Sequence, residues 1–202
     1  MFRKLAAFAV ICFGTLAVAQ ADILMPGGSL PPDSLNPGGT VIAQVAGTVA
    51  TSAIVDKYSV TVYADAANVF CSGCYDFVFN FDNVGTNGNS SFTMFNFGGF
   101  LLDAGINAGA SGISSPSSVN SSADGSTITF VFSPELGAGQ NTSLVIETNT
   151  DGLVNSGFTI GSGDNTGSQG GFAPAIPEPA TLALFGTGLF GLVGVARRKL
   201  KV

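Results

Sequence analysis

Two thiols stand three residues apart in Cys71-Ser72-Gly73-Cys74, the one local pattern in this chain with evident chemical potential. That spacing serves a redox couple, half of a zinc site, a haem attachment or a structural disulfide. A thioredoxin-like couple needs a helix after the second cysteine, whereas Tyr75 onward alternates as a strand. Haem attachment needs histidine where Tyr75 stands, and zinc needs a second ligand pair that the sequence lacks. The expectation is therefore a Cys71–Cys74 disulfide formed in an oxidising compartment, pinning a turn between a strand ending near Phe70 and one starting at Tyr75. Closing so short a loop contributes about 2 kcal/mol through entropy removed from the unfolded chain. Cys12 lies in an N-terminal segment that is expected to be removed, which leaves the pair alone.

The chain contains no histidine. That removes Ser-His-Asp and Cys-His catalysis and every histidine-ligated metal. Paired carboxylates remain the one general route to hydrolysis, and a glycoside hydrolase needs two at a defined separation. Between Asp22 and Ala175 there are two glutamates, Glu135 and Glu147, and ten scattered aspartates, read mostly as turn residues; those beside Gly or Asn, such as Asp124 and Asp151, are expected in turns for local hydrogen bonding. A non-enzymatic body is the reading this supports, with no catalytic residue, no cofactor and no metal site expected. A calcium-dependent adhesive module is the alternative, since Asp82 to Asn89 and Asp164 to Gly167 offer oxygen ligands on flexible backbone. Neither matches the EF-hand spacing or a calcium-binding repeat.

The elements that would position these groups are strands. Tyr58, Val60 and Val62 alternate with Ser59 and Thr61, and Tyr75, Phe77, Phe79 and Phe81 alternate with Asp76, Val78 and Asn80. Ile128, Phe130 and Phe132 do the same, and Leu144, Ile146 and Thr148 continue the habit. A period of two puts one side of each strand on a core. Asp124-Gly125 precedes one strand, and Asp151-Gly152 between two apolar runs reads as a hairpin. Seven or eight short strands over residues 40–160 fit an antiparallel β-sandwich, in an all-β fold class. Residues 22–39, rich in Pro and Gly, and 161–175, rich in Gly and Ser, read as flanking linkers. Among seventeen phenylalanines, Phe92, Phe95, Phe97 and Phe100 are expected to fill the core, with Phe95 and Phe97 on one side of a strand and Phe92 on the other. The other use for them is an exposed platform on which sugar rings stack, the mark of a carbohydrate-binding module.

Charge and the two ends decide where such a body goes. Residues 22–175 carry twelve acids against one base, Lys57, leaving about eleven net negative charges. Phosphate backbones would be repelled, so no nucleic-acid partner is expected. Residues 1–21 open with Arg3 and Lys4, continue apolar to about Ala19, and end in small residues. That is the layout of a secretory signal peptide, with Ala19 and Ala21 as the two cleavage positions. At the other end, residues 180–196 carry no charge and would rise about 25 Å as a helix, enough to cross a bilayer. Arg197, Arg198, Lys199 and Lys201 follow at once, and a basic tail stays on the cytoplasmic side.

Immediately before the apolar run stands Pro177-Glu178-Pro179. Each proline removes a backbone donor and pushes its predecessor toward an extended conformation, so the stretch from Ile176 stays accessible to a peptidase. The order Pro-Glu-Pro, apolar span, basic cluster over residues 176–202 resembles the PEP-CTERM sorting signal of Gram-negative bacteria. The resemblance implies an exosortase, a membrane-embedded cysteine enzyme, that recognises this tail and cleaves near the Pro-Glu-Pro. It further implies a membrane-anchored precursor whose product is displayed at the cell envelope or released into an extracellular exopolysaccharide matrix.

Overall fold

The computed structural model describes residues 22–175, and every one of its regular elements is a β-strand. In chain order they are β1 Ser29–Leu30, β2 Asp33–Leu35, β3 Thr40–Ala50, β4 Val55–Asp65, β5 Cys74–Asn83 and β6 Asn89–Phe95. There follow β7 Leu102–Asn107, β8 Ser118–Ser121, β9 Thr127–Leu136, β10 Asn141–Thr148, β11 Leu153–Ser162 and β12 Asn165–Pro174. Two six-stranded sheets result, ordered β1-β8-β9-β6-β11-β12 and β2-β7-β10-β5-β4-β3. All pairings are antiparallel except β2 beside β7, which is parallel and makes the second sheet mixed.

The alternation read in the sequence is what joins the two layers. Tyr58, Val60, Val62, Phe77, Phe79 and Phe81 point inward from the second sheet, and Phe92, Met94, Ile128, Phe130, Phe158 and Ile160 from the first, all buried in one cluster. Phe158 is the hub: its ring lies 4.9 Å from Tyr58 and 5.1 Å from Phe81 in edge-to-face contact, with Phe79 at 6.5 Å. Such pairs add attraction beyond the area they bury. Phe92 and Phe97 both reach this core, although they stand an odd number of positions, five, apart. Asn96, with φ of 69°, breaks the strand between them and resets the alternation. The split of Phe92 from Phe97 read in the sequence therefore does not occur; Phe95 and Phe100 are half-buried.

Both expected linkers belong to the folded body. Residues 161–175 contain β12, paired along its whole length with β11 from Asn165 opposite Ser162 to Pro174 opposite Leu153. One of its glycines answers a packing need: a Cβ on Gly167 would press on Val49, so the absence of a side chain lets this strand lie close over the core. Within residues 22–39, β1 and β2 join opposite sheets, and Leu24 is buried. Short strands of this kind hold by main-chain hydrogen bonds and leave no periodic signal.

Three local expectations are also corrected. Residues 40–160 carry nine strands, β3 to β11, rather than seven or eight, and the described residues carry twelve in all. Asp151-Gly152 does not close a hairpin: β10 lies in one sheet and β11 in the other, so this turn carries the chain across the sandwich. The strand expected to run to near Phe70 stops at Asp65, because residues 66–73 leave the sheet as a loop. Truncating the aromatic hub, Phe158→Ala, should cost about 3–5 kcal/mol, read as a lowered urea midpoint with an unchanged slope. A loss under about 1 kcal/mol would mean that the two layers do not meet through this ring.

Candidate functional site

Inward-facing Phe77, Ile146 and Ala104 fix, by alternation, what points out of the opposite face of the second sheet. In register, Glu147 of β10 stands opposite Asp76 of β5 on one side and Asp103 of β7 on the other. Three acids from neighbouring strands thus form one row across the sheet. Directly opposite positions in a sheet lie about 4.5–5.5 Å apart, where like charges repel. Asp65, at the end of β4, and Asp33 of β2 flank the row and act on it electrostatically. The next row along the same face is apolar, with Val145 and Val78 closed over by Leu35. Lys57, the single base among the described residues, lies at the far end of the face opposite Asp82.

This row faces outward from its sheet and yet is dry. Asp76 is 0% exposed, Asp103 2% and Glu147 6%. The cover over Asp76 and Glu147 is the loop 66–73, and its clamp is the Cys71–Cys74 disulfide, whose Cα atoms are 5.4 Å apart. Asn68 is the loop's inward probe: its Nδ2 donates to Asp76 Oδ1 at 2.7 Å and to the Thr148 carbonyl at 3.3 Å. Asn68 Oδ1 in turn accepts from the Phe70 and Cys71 amides. The Val69 amide donates to Glu147 Oε2 at 3.4 Å, and Asp65 Oδ1 caps the Ala67 amide at 2.7 Å. The Gly73 amide returns to the Asp65 carbonyl at 2.7 Å, so the loop begins and ends on the same residue. The disulfide expected from the sequence is present, and its place in the fold is as the fastener of this roof.

Burial sets the chemistry of the row. Loss of hydration pushes the Asp76 carboxyl from 3.8 up to about 8; the Asn68 hydrogen bond opposes this and the Glu147 charge adds to it. Asp103 is raised to about 7, first by burial, then by the charges of Asp33 and Glu147. Glu147 is raised too, again mainly by burial, against the Val69 amide. Asp76 Oδ2 and Asp103 Oδ1 are buried without a hydrogen-bond partner. The row therefore holds its protons to a higher pH than exposed carboxyls do.

Asp56, at the other end of the same sheet, is a separate case. It is fully buried, accepts from Asn89 Nδ2 at 2.8 Å, and burial raises it to about 6. The two stretches read as calcium ligands do other work. Asn83 Nδ2 donates to the Asn87 and Leu136 carbonyls and its Oδ1 accepts from the Gly85 amide, so the Asp82 to Asn89 connection closes on itself. Asp164 is exposed on the tight turn between β11 and β12. Among the described residues no phenylalanine or tyrosine is among the large exposed apolar side chains, and Tyr63, Tyr75, Phe95, Phe100 and Phe172 are half-buried. A shallow depression of about 390 Å³ on the outer face is lined by Ser59, Asn80 and Ser143 together with Ala110 and Ile113.

Sequence reading found the clamp and missed the row. Asp76, Asp103 and Glu147 are far apart in the chain and meet through strand register alone. The one available signal was parity: Asp76 and Glu147 each sit beside inward-facing residues of strands that had already been recognised.

The sorting tail, Pro177, Glu178 and Pro179 with Arg197, Arg198, Lys199 and Lys201, the span 180–196, and the signal-cleavage positions Ala19 and Ala21 all lie outside the described residues. Among the described residues no helix is long and apolar enough to cross a membrane. Comparison by sequence reaches the tail directly. Residues 175–199 match the family model for the PEP-CTERM protein-sorting motif. The match covers the Pro-Glu-Pro, the apolar run and the first three basic residues, the parts on which the resemblance was drawn. No curated protein and no solved structure matches the chain. The PEP-CTERM match supports export and exosortase sorting, and it is silent on the β-structured body.

Two predictions follow from the roofed row, both in the presence of a chelator. A carboxyl raised in the folded state holds its proton there after the unfolded chain has lost it, so stability is fullest below about pH 4 for this contribution and falls as pH rises through about 8. Asp76→Asn, which keeps the acceptor for Asn68, should flatten that fall and exceed wild type at pH 8 by about 1–3 kcal/mol in urea unfolding. A parallel pH dependence in both proteins would show that Asp76 is not the titrating group. Replacing Cys71 and Cys74 together by Ser should cost about 2 kcal/mol, with the loop 66–73 losing amide protection in hydrogen exchange. Unchanged protection would mean that the disulfide is not the fastener.

Proposed function

We propose that this chain is an exported bacterial surface or extracellular-matrix protein, sorted through its PEP-CTERM tail by an exosortase, with a non-enzymatic β-sandwich body. The single observation that carries the proposal is the family match at residues 175–199. The physical reading of the same residues supports it: an extended Pro-Glu-Pro, an uncharged run long enough to span, and a basic block to stop transfer. In this reading the N-terminal 21 residues are cleaved after export, the helix at 180–196 holds the precursor in the membrane, and Pro177-Glu178-Pro179 is presented just outside it.

The body supports the same destination. Its strong negative charge and disulfide suit a compartment outside the cytoplasm. Its three adjoining acids are covered, which favours a binding or structural role over hydrolysis. Because β12 runs to Pro174, almost no slack separates the folded body from the processing site. The exosortase would thus work within a few residues of the sandwich edge, and cleavage near the Pro-Glu-Pro leaves the last strand whole. Release into an exopolysaccharide matrix, or retention at the envelope, is the fate assigned to the product.

Replacing Pro177 and Pro179 by alanine should leave full-length chain in the membrane fraction, while the wild type loses its tail, as read by intact mass of the exported protein. Equal processing of both forms would remove the exosortase from the proposal.

A further inference from the structure

We propose that the end of the sandwich from which the tail departs is a lipid-contact face, an apolar rim that seats the body of the precursor on the outer surface of a zwitterionic bilayer. It deepens the sorting proposal, resting on the reading of residues 180–196 as a membrane span.

Strand register assigns each connection to one of two ends. Asp65 of β4 pairs with Cys74 of β5, and Thr148 of β10 with Leu102 of β7, at one end of the second sheet. Leu153 of β11 pairs with Pro174 of β12, and Phe95 of β6 with Thr127 of β9, at one end of the first. These are the same end of the sandwich. The Tyr75 amide donates to the Thr150 carbonyl and the Ala175 amide to the Gly152 carbonyl, so the turn between β10 and β11 ties both sheets there. The tail leaves the body at that point.

Eight large apolar side chains are exposed among the described residues, and seven of them belong to this end. Val41 pairs with Tyr63, two residues before Asp65, and Ile42 is the extra residue of a bulge beside it. Val154 stands opposite Ala173, next to the departing tail. Val69 is on the roof 66–73, and the Leu101 amide donates to Asn149 Oδ1 in the turn between β10 and β11. Ile23 and Met25 flank Leu24, whose amide donates to the Leu102 carbonyl. The eighth, Val84, is at the opposite end, bonded to the Val55 carbonyl. Exposed apolar residues scattered singly need no explanation, whereas a set gathered at one end marks a contact surface.

The length of chain beyond the body says what covers them. Residues 176–179 alone separate Ala175 from the span, a reach of about 17 Å at full extension. The headgroup layer takes up about 5–7 Å of that distance. The rim is therefore held beside the bilayer, and so short a tether makes even a weak apolar contact effective. Charge selects a neutral surface. Asp22, Asp124 and Asp151 are exposed at this end, while Lys57 is toward the other, so anionic lipid is repelled and the attraction is apolar. The roof serves the same face, since it covers Asp76 and Glu147, which would otherwise add carboxylates where lipid is met. Removing the tail removes the tether, and contact by the rim alone becomes weak and reversible, so processing also frees the body.

The chain has no tryptophan, so a single introduced one reports alone. The test uses the full chain reconstituted in phosphatidylcholine vesicles, with and without lipid brominated on its acyl chains, a short-range quencher of tryptophan emission. Leu101→Trp and Val154→Trp, at two exposed positions on different elements, should each be shifted to the blue and lose most of their emission in brominated lipid. Val84→Trp should keep both its wavelength and its intensity. Phe190→Trp, inside the span, reads the sorting proposal separately. Quenching of Phe190→Trp with none of Leu101→Trp or Val154→Trp would overturn the lipid-contact face and leave the span standing. Absence of quenching at Phe190→Trp would overturn the span, and the contact face with it. Equal quenching of Val84→Trp would mean that the body meets the bilayer by no particular end, and a blue shift without quenching would place a second copy of this chain on the rim. Either result overturns the proposal.

Discussion

One register holds this molecule together. The inward residues of β5, β10 and β7, Phe77, Phe79, Phe81, Leu144, Ile146, Leu102 and Ala104, are buried against the facing sheet, and a slip of one residue would exchange them for their polar neighbours. The cost of that exchange, several aromatic and aliphatic side chains turned into water, far exceeds the repulsion among three carboxylates. The core therefore dictates the outer face. Asp76, Glu147 and Asp103 are neighbours because Phe77, Ile146 and Ala104 must be.

The structure then contains that imposed strain in charge. Loop 66–73 lies over the row, Asn68 satisfies one oxygen of Asp76, the Val69 amide leans on Glu147, and the Cys71–Cys74 bond keeps the loop short. Covering the acids raises their affinity for protons and leaves two oxygens unpartnered. Solvent exposure would have been a simpler solution electrostatically. That the chain instead builds a disulfide-fastened lid over them is the reason to regard this place as a site.

The sequence revealed those strands whose composition carries a period. Tyr58 to Val62, Tyr75 to Phe81, Ile128 to Phe132 and Leu144 to Thr148 alternate clearly, and β4, β5, β9 and β10 are where they fall. What it concealed has physical causes. β12 carries three glycines, of which Gly167 is required because Val49 leaves no room for a side chain there, and glycine in sequence reads as slack. β1 and β2 are too short to show a period. Asp151-Gly152 signals a turn correctly but cannot say whether the next strand returns to the same sheet. Tertiary register, which assembles the acidic row, has no local signature at all. The sorting tail is the opposite case: its three parts act through their order along the chain, so linear sequence is sufficient, and the PEP-CTERM match falls on the same residues.

Sorting and body are thus read at different levels, the tail from linear order and the site from packing. The claim on which the account of the body rests is that three carboxyls share a dry row, two of them, Asp76 and Glu147, under the clamped loop. Carboxyl-carbon chemical shifts followed against pH, in chelator, address it most directly. The account predicts that Asp76 and Asp103 titrate at about 8 and about 7, well above the ordinary aspartate value of 3.8. If Asp76 and Asp103 instead lose their protons near 3.8, as an ordinary aspartate does, the row is open to water and the roofed site does not exist.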